Sequence, residues 1–219
     1  MSESSPKILM PSEIDFDRVN YSTPSNFPGG KLVYLNYQND QNEKVPFLIR
    51  TPTLDCKNGL KIWKDNNADI LLNLYENSEK NSELIKCLDS LDNKLLMDST
   101  RYSFEWFKMK KISTEDSLQK LNKITKLDDS NNSYIKVKLN KKDDNWIPEI
   151  YDSNKESTTP ENAIVPNCSM DSIIQIYAIH IRKDNNYGII LRLVQSKVYP
   201  PKNIIRGKCM ILDSSDDEN

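Results

Sequence analysis

The sequence predicts a β-rich α+β fold, in which a partly open antiparallel barrel carries inserted helices. Segments rich in β-forming residues occupy both the early and the late parts of the chain, and one long apolar stripe of helical period separates them. Only five glycines occur in 219 residues. So few glycines leave little room for the glycine-rich loops of a doubly wound nucleotide-binding fold.

The early part of the chain contains four candidate strands. Residues 31–37 are rich in β-forming side chains, and residues 45–50 return as a second strand after a polar turn. Residues 60–63 form a short third segment, and residues 68–75 form a longer one. We therefore expect the first half of the barrel to precede the helices.

The middle of the chain has the period of a helix. Apolar residues recur at three- and four-residue steps from Leu84 to Leu96, which predicts one amphipathic helix. Ser113 followed by Asp116 is a helix-start pattern ahead of a second apolar stripe. Between them the aromatic run at residues 104–107 is typical of core residues.

The last third is again β-rich. Residues 134–139 alternate so that Lys136 and Lys138 share one face, with apolar side chains on the other. Residues 172–182 and 187–199 flank a polar turn, the strongest hairpin pattern in the chain. Strands, then helix, then strands is the order of an OB-like barrel, where a helix bridges the third and fourth strands.

The chain divides into three parts. Residues 1–28 are polar, contain four prolines and are expected to form an irregular leader. Residues 29–212 are expected to form a single OB-like domain with a helical insert at about 78–126. Residues 213–219 are an acidic C-terminal tail.

Several enzyme classes are excluded by missing residues. Because the sequence contains one histidine, His180, most acid–base sites, catalytic triads and histidine-rich metal sites are excluded. None of the four cysteines falls in a C-x-x-C pair, and no phosphate-binding loop, nucleophile elbow or H-E-x-x-H motif occurs. We predict a protein that is not an enzyme, with no catalytic residue, no metal site and no cofactor.

No segment of the sequence reads as a membrane span or a signal peptide. The longest apolar-rich stretch, residues 173–181, is far shorter than the roughly 20 residues that a membrane helix needs. The first residues are polar and include an early acidic side chain, unlike a secretory signal. The expectation is an intracellular protein without a membrane partner.

Charge is distributed unevenly along the chain. Residues 172–210 hold seven basic side chains against one acidic, whereas the last seven residues hold four acidic and no basic side chains. A basic β-rich region can neutralise phosphates, and nearby tyrosines and tryptophans can stack on unpaired bases. The alternative is that the lysines only solvate an outer sheet face and that the tail only aids solubility.

The candidate nucleic-acid-binding residues combine these basic and aromatic side chains. They are Lys61, Trp63, Lys64, Lys136, Lys138, Arg182, Lys183, Tyr187, Arg192, Lys197 and Tyr199. Tyr187 and Tyr199 are twelve positions apart, so they share a face of a strand that contains no bulge.

Three short motifs carry a family resemblance. They are the segment Lys31-Leu-Val-Tyr-Leu-Asn-Tyr37, the segment Pro46-Phe-Leu-Ile-Arg-Thr-Pro52, and Gly59-Leu60. In these the chain resembles the OB-fold single-stranded-DNA-binding protein family of nucleocytoplasmic large DNA viruses, of the African swine fever virus type. The resemblance implies an OB-like core, binding of single-stranded DNA without sequence preference, and a place in the host cytoplasm, a viral replication factory or the virion.

Three functional hypotheses follow. The first is a non-enzymatic single-stranded-DNA-binding protein of viral DNA replication or repair, with RNA as an alternative ligand and replication proteins as partners of the acidic tail. The second is a structural or scaffolding protein of a virion or replication complex, which binds other proteins through the long helix and the tail. The third is an enzyme acting on nucleic acid or nucleotides, which would need carboxylates that converge on a metal. Homo-oligomerisation stays open.

Overall fold

The computed structural model describes residues 7–63, 67–76 and 78–201. Within them a mixed sheet of sixteen strands packs with four α-helices, which confirms the β-rich α+β class. The strands are β1 (Ile8–Leu9), β2 (Val19–Tyr21), β3 (Ser25–Phe27), β4 (Gly30–Gln38), β5 (Lys44–Pro46), β6 (Leu48–Arg50), β7 (Leu54–Cys56), β8 (Lys61–Ile62), β9 (Asn67–Leu74), β10 (Thr125–Leu127), β11 (Ser133–Lys142), β12 (Asn145–Trp146), β13 (Glu149–Tyr151), β14 (Ser157–Thr158), β15 (Cys168–Arg182) and β16 (Tyr187–Tyr199). The helices are α1 (Glu79–Arg101), α2 (Ser103–Phe107), α3 (Thr114–Lys120) and α4 (Pro160–Ala163), with 3₁₀ turns at Pro11–Glu13 and Phe16–Arg18.

Five strands close a ring in the order β7, β9, β11, β16 and β15. The β15–β16 hairpin is the longest pairing, as its sequence predicts. The ring has the fewest paired residues between β7 and β9, where Asp55 opposite Asn73 is the single paired position. The result is a partly open barrel, and α1 lies between β9 and β11 in the chain as the OB-like order requires.

The barrel is not antiparallel throughout, which corrects the expectation from sequence. Strands β11 and β16 run parallel, with Val137 opposite Leu191 and Lys138 opposite Arg192. The pairings β1–β6 and β13–β16 are also parallel. Parallel neighbours need a long crossover connection, and the chain between β11 and β16 supplies it with β12 to β15 and α4.

The core lies inside the barrel and under α1. Ile135, Val137 and Leu139 point inward and are fully buried, which confirms the alternation predicted for this strand. The apolar stripe of α1 is buried against the same core through Leu84, Leu88, Leu91 and Leu95. Each fully buried side chain of this size stabilises the fold by about 1.5–3 kcal/mol through removal from water.

Side-chain caps begin two of the helices. The Ser113 hydroxyl accepts a hydrogen bond from the Asp116 backbone N–H and starts α3, as predicted. Ser78 caps α1 in the same way. In the aromatic run, Trp106 and Phe107 are buried, but Phe104 is 60% exposed because the short helix α2 turns only one side to the core.

The leader is more ordered than the sequence predicts over the part that is described. Strands β2 and β3 pair with β4, and β1 pairs with β6. Leu9 and Val19 are buried in the main core. Strands this short have no recognisable period of their own and are held by the longer strands beside them. The division of the chain at residue 28 stays a prediction, and the tail at 213–219 lies outside the described residues.

Thiols and metal-binding groups contribute no cluster in the described ranges. Cys56, Cys87 and Cys168 are free and buried, and Cys209 lies outside the description. Across residues 7–63, 67–76 and 78–201, no three His, Cys, Asp or Glu side chains converge to hold a metal ion. The same ranges contain no helix that is both long and apolar enough to cross a membrane.

Candidate nucleic-acid interface

A groove on the barrel surface collects basic side chains. It has a volume of about 440 Å³, and none of the described residues that line it is acidic. Its basic lining residues, counting the histidine, are Lys123, Lys126, Lys136, Lys138, Arg182 and His180. We call this cavity the basic groove.

Two long strands and a segment that ends in the short strand β10 position these side chains. Lys136 and Lys138 face outward on β11 because the alternate residues of that strand point into the core. Lys123 and Lys126 belong to residues 121–127, which we call the wall segment. It is attached to the barrel by a hydrogen bond from the Asn122 N–H to the Tyr187 carbonyl, 2.7 Å long.

A buried carboxylate on α1 accepts a hydrogen bond from the backbone of the wall segment. Asp92 on α1 is 3% exposed and accepts the Ile124 N–H at 3.0 Å. Burial raises the pKa of Asp92 to about 6, assisted by Asp89, whereas the bond from Ile124 and the charge of Lys123 act in the opposite direction. The carboxylate therefore holds the backbone between the two lysines of the wall.

A β-bulge in β15 turns a further side chain, that of His180, toward the outer surface. The register shifts between Ile176 and Ala178, so that Tyr177 is an extra residue without a partner on β16. Inward positions are even-numbered before the bulge, whereas Ile179 and Ile181 point inward after it. His180 consequently faces the groove.

The bulged residue Tyr177 is part of an aromatic site beside the groove. The Arg192 guanidinium carbon lies 3.2 Å from the centre of the Tyr177 ring, and Tyr34 meets that ring edge-on at 5.3 Å. The Arg192 Nε atom is buried and has no hydrogen-bond partner among the described residues. An arginine stacked on tyrosine offers a flat cationic surface.

A second aromatic site surrounds Trp63, which is 46% exposed. Its Nε1–H donates to Asp69 Oδ2 at 2.6 Å, and Lys136 Nζ pairs with the same oxygen at 2.6 Å. The Lys61 and Lys136 ammonium groups lie 4.2 and 5.3 Å from the indole centre. Asp69, 5% exposed, thus fixes the tryptophan instead of presenting a free negative charge.

The two aromatic sites lie at opposite ends of one row across the barrel. Residues directly opposite one another on neighbouring strands share a face. The row, defined by strand register, is Lys61, Asp69, Lys138, Arg192 and Gln175. Strands are about 4.8 Å apart, so this cross-strand row follows an arc of about 19 Å, long enough for several nucleotides.

Repulsion among the cations shapes the electrostatics of the groove. Burial lowers the pKa of Lys138, and the charges of Lys136, Arg192 and Arg182 add to that effect, with Asp69 opposing it. The pKa of His180 is also lowered, first by burial and then by Arg182 and Lys138. A polyanion in the groove would relieve this repulsion.

Six of the eleven residues predicted from sequence come together here. Lys136, Lys138 and Arg182 line the groove, and Arg192, Trp63 and Lys61 adjoin it. Lys183 is exposed in the turn after β15 and does not line the groove. Lys64 lies outside the described residues.

The prediction for Tyr187 is wrong. Tyr187 is 0% exposed, and its hydroxyl lies 2.6 Å from Ser117 Oγ and 3.0 Å from Ser99 Oγ. Val194 is an extra residue in the register of β16, and the inward positions change from odd-numbered to even-numbered there. Tyr187 and Tyr199 therefore lie on opposite faces.

Lys197 and Tyr199 lie apart from the groove, lining two other depressions. The Tyr199 hydroxyl donates to Asp171 Oδ2 at 3.1 Å, and the Lys197 ammonium lies 5.1 Å from the Tyr199 ring centre. They form a separate small polar site, outside the cross-strand row.

Sequence reasoning missed five residues, three that line the groove and two of the adjoining aromatic site. Lys123 and Lys126 lie within and just after the second apolar stripe, at polar positions where a functional lysine cannot be distinguished from a solvated one. The face of His180 depends on the bulge, which has no sequence signature, whereas Tyr177 continues the outward alternation of the residues before it. Tyr34 is the one with a signal in the sequence, because a spacing of three positions places Tyr34 and Tyr37 on opposite faces of a regular strand, and Tyr37 is the buried one.

Comparisons with known proteins give similarities of fold at low identity. No protein-family model matches the chain, and no curated protein matches it. The chain is similar to gp2.5, a single-stranded DNA binding protein encoded by bacteriophage T7, at 8% identity and a TM-score of 0.48 over 75% of this chain and 98% of that one. It is similar to the single-stranded DNA-binding protein from bacteriophage Enc34 at 13% identity and a TM-score of 0.45 over 90% and 98% of the two chains. It is similar to the C-terminal truncation of the Enc34 protein at 10% identity and a TM-score of 0.46, over 85% of this chain and 97% of that one. The functional proposal therefore depends on the groove's own residues.

Proposed function

We propose that this protein binds single-stranded DNA through the basic groove and the cross-strand row, without sequence preference and without catalysing a reaction. The observation that supports this most strongly is the groove lining: five cationic side chains and a histidine, with no acid among the described lining residues. Phosphates are the ligands that such a surface attracts.

The aromatic sites favour a single strand over a duplex. Trp63 is exposed and fixed through Asp69, and Tyr177 is covered by a guanidinium that can itself stack on a base. Stacking on such side chains contributes about 1–3 kcal/mol per base and requires bases that are unpaired. Because every base has a flat face, stacking and phosphate contacts together bind any sequence.

The biological setting is part of the same proposal. The motifs between residues 31 and 60 resemble a viral family, so we propose a role in viral DNA replication or repair, in the host cytoplasm or a viral replication factory, with packaging in the virion as a further location. The acidic tail would compete for the groove or recruit replication proteins. Neither RNA binding nor self-association is needed for this proposal.

Fluorescence anisotropy of a labelled poly-dT oligonucleotide of about 30 nucleotides tests the proposal. The full-length protein should bind, and the affinity should fall steeply as salt is raised. Unlabelled duplex DNA should compete poorly, and unlabelled RNA tests the choice between the two nucleic acids. Absence of binding at low salt would contradict the proposal and favour the scaffolding hypothesis.

A further inference from the structure

His180 occupies an unusual place in the basic groove. It is the one histidine of the sequence, and it lies opposite Gly188 on β16 and Leu32 on β4. Gly188 has no side chain, and the backbone carbonyl of Asn122 in the wall segment packs closely against it. The Phe27 ring contacts the imidazole edge-on, with 5.9 Å between the ring centres.

One imidazole nitrogen has no protein partner. The Nε2 atom of His180 is buried, and no described residue hydrogen-bonds to it. A buried polar atom without a partner costs about 1–3 kcal/mol. In a cavity that also contains Lys138 and Arg182, the missing partner is expected to be a ligand oxygen.

The charged groups that face His180 are all cationic. Arg182 lies on its own strand and Lys138 on β11, and both lower the pKa of the imidazole after burial does. The wall segment adds Lys123 and Lys126, and β11 also adds Lys136. The residues that contact or lie opposite His180 on the other strands, Phe27 on β3, Leu32 on β4 and Gly188 on β16, are uncharged. In the empty groove the imidazolium form is therefore disfavoured.

A phosphate changes this balance. Its negative charge offsets the nearby cations, and its oxygen can accept a hydrogen bond from an Nε2–H. We propose that His180 is a phosphate ligand of the groove, one that takes up a proton when nucleic acid binds. This inference rests on the proposed function and adds a regulatory property to it: binding that strengthens as the solution becomes more acidic.

The direction of the pH dependence follows from the thermodynamic linkage between proton binding and nucleic-acid binding. If the bound state has the higher pKa, the extra affinity is fully present below the pKa of the free protein, and it is lost as the pH rises through the pKa of the complex. Each unit by which binding raises the pKa is equivalent to about a tenfold gain in affinity at low pH.

Proton NMR tests the inference on the unaltered protein, since one histidine produces one set of imidazole signals. The chemical shift is followed against pH for the free protein and for the protein saturated with a short poly-dT oligonucleotide. The titration midpoint should move to higher pH in the complex. An unchanged midpoint, or one that moves lower, would overturn the inference.

A matched binding measurement uses His180→Gln, which keeps a polar side chain but does not titrate. Anisotropy from about pH 5.5 to about pH 8 should show affinity rising toward acid more steeply for the native protein than for the variant. Other groups, Asp92 among them, titrate equally in both proteins and cancel in the ratio. A ratio that is constant with pH would contradict proton uptake at His180. Failure of the native protein to bind the oligonucleotide at any pH would instead refute the proposed function, and this inference with it.

Discussion

Trp63 is the side chain on which the stacking proposal can be tested most cleanly. It is 46% exposed, and its orientation is held by Asp69. Replacing it by alanine should weaken binding of poly-dT by about 5- to 150-fold, the equivalent of one lost stacking contact of about 1–3 kcal/mol. Trp63→Phe should recover part of the loss because a flat ring remains. Anisotropy at fixed salt measures both.

Trp146 provides the matched control. Its indole N–H also donates to a carboxylate, that of Glu161, and a lysine, Lys141, lies 4.4 Å from its ring centre. It does not line the basic groove. Trp146→Ala should therefore leave the affinity nearly unchanged, and an equal loss in both variants would show that the groove is not the binding surface.

Lys138 tests the electrostatic contribution. It lies opposite both Asp69 and Arg192 at the centre of the cross-strand row. Lys138→Ala should reduce the slope of log affinity against log salt by about 0.7, the value of one phosphate contact on a single strand. Lys86→Ala, at an exposed position of α1, should leave the slope unchanged. If the native protein and both variants have the same slope, Lys138 does not contact a phosphate and is not part of the interface.

At the scale of elements, the wall segment links the stability of the fold to the groove. Asp92 has a pKa raised by burial to about 6, so the folded protein keeps this proton to a higher pH than the unfolded chain. Stability is lost as the pH rises from about 4 to above 6, by up to about 3 kcal/mol from this group. Asp92→Asn cannot titrate and still accepts the Ile124 N–H.

Urea unfolding at several pH values measures this effect. The free energy of unfolding of Asp92→Asn, relative to the native protein, should increase from about pH 4 to about pH 7.5. Asp92→Ala leaves the Ile124 N–H without its acceptor and should be destabilised at both pH values. A difference between Asp92→Asn and the native protein that does not change with pH would contradict the buried, titrating carboxylate.

Gly188 sets how closely the wall segment approaches β16. A Cβ atom there would lie 2.5 Å from the Asn122 carbonyl oxygen, which is backbone and cannot rotate away. Gly188→Ala should lower the free energy of unfolding by about 1–3 kcal/mol and displace the wall. The expected result in binding assays is a weaker affinity with a smaller salt dependence, because Lys123 and Lys126 move. Retention of full stability would show that the contact is readily relieved.

The long elements were predictable because each has many repeats of its period. The stripe of α1 and the β15–β16 hairpin were confirmed on this basis. The three-residue strands β7 and β10 were not found because they are held by their neighbours and not by their own pattern. The two bulges in the hairpin could not be predicted for another reason: one extra residue leaves the composition unchanged, yet it exchanges the inward and outward faces. The bulge in β15 turns His180 outward, and the bulge in β16 places Tyr187 and Tyr199 on opposite faces.

The candidate site was therefore predicted in part. Charge and alternation were sufficient for Lys136 and Lys138, since a regular strand fixes their face. The residues contributed by the wall segment depend on tertiary contacts, through Asp92 and Tyr187, that join positions far apart in the chain. No local pattern records such contacts.

At the scale of the whole molecule, the net charge of −2 conceals opposite local charges. Removing residues 213–219 deletes four acidic side chains and changes the net charge from −2 to +2. The truncated protein should bind poly-dT more tightly at low salt, with the difference shrinking at high salt as screening increases. Anisotropy of both forms over the same salt series measures this. Equal affinities at low salt would show that the tail does not act on binding.

Photo-crosslinking tests most directly whether a single strand crosses the barrel in the basic groove. A poly-dT oligonucleotide with 5-iododeoxyuridine at scattered positions is irradiated with the full-length protein, and the crosslinked residues are identified by mass spectrometry. Crosslinks should concentrate on the aromatic residues at the two ends of the cross-strand row, Trp63, Tyr34 and Tyr177, and unlabelled poly-dT should suppress them. Crosslinks confined to Trp146 or to the exposed Phe104, or the same pattern from unfolded protein, would contradict the account.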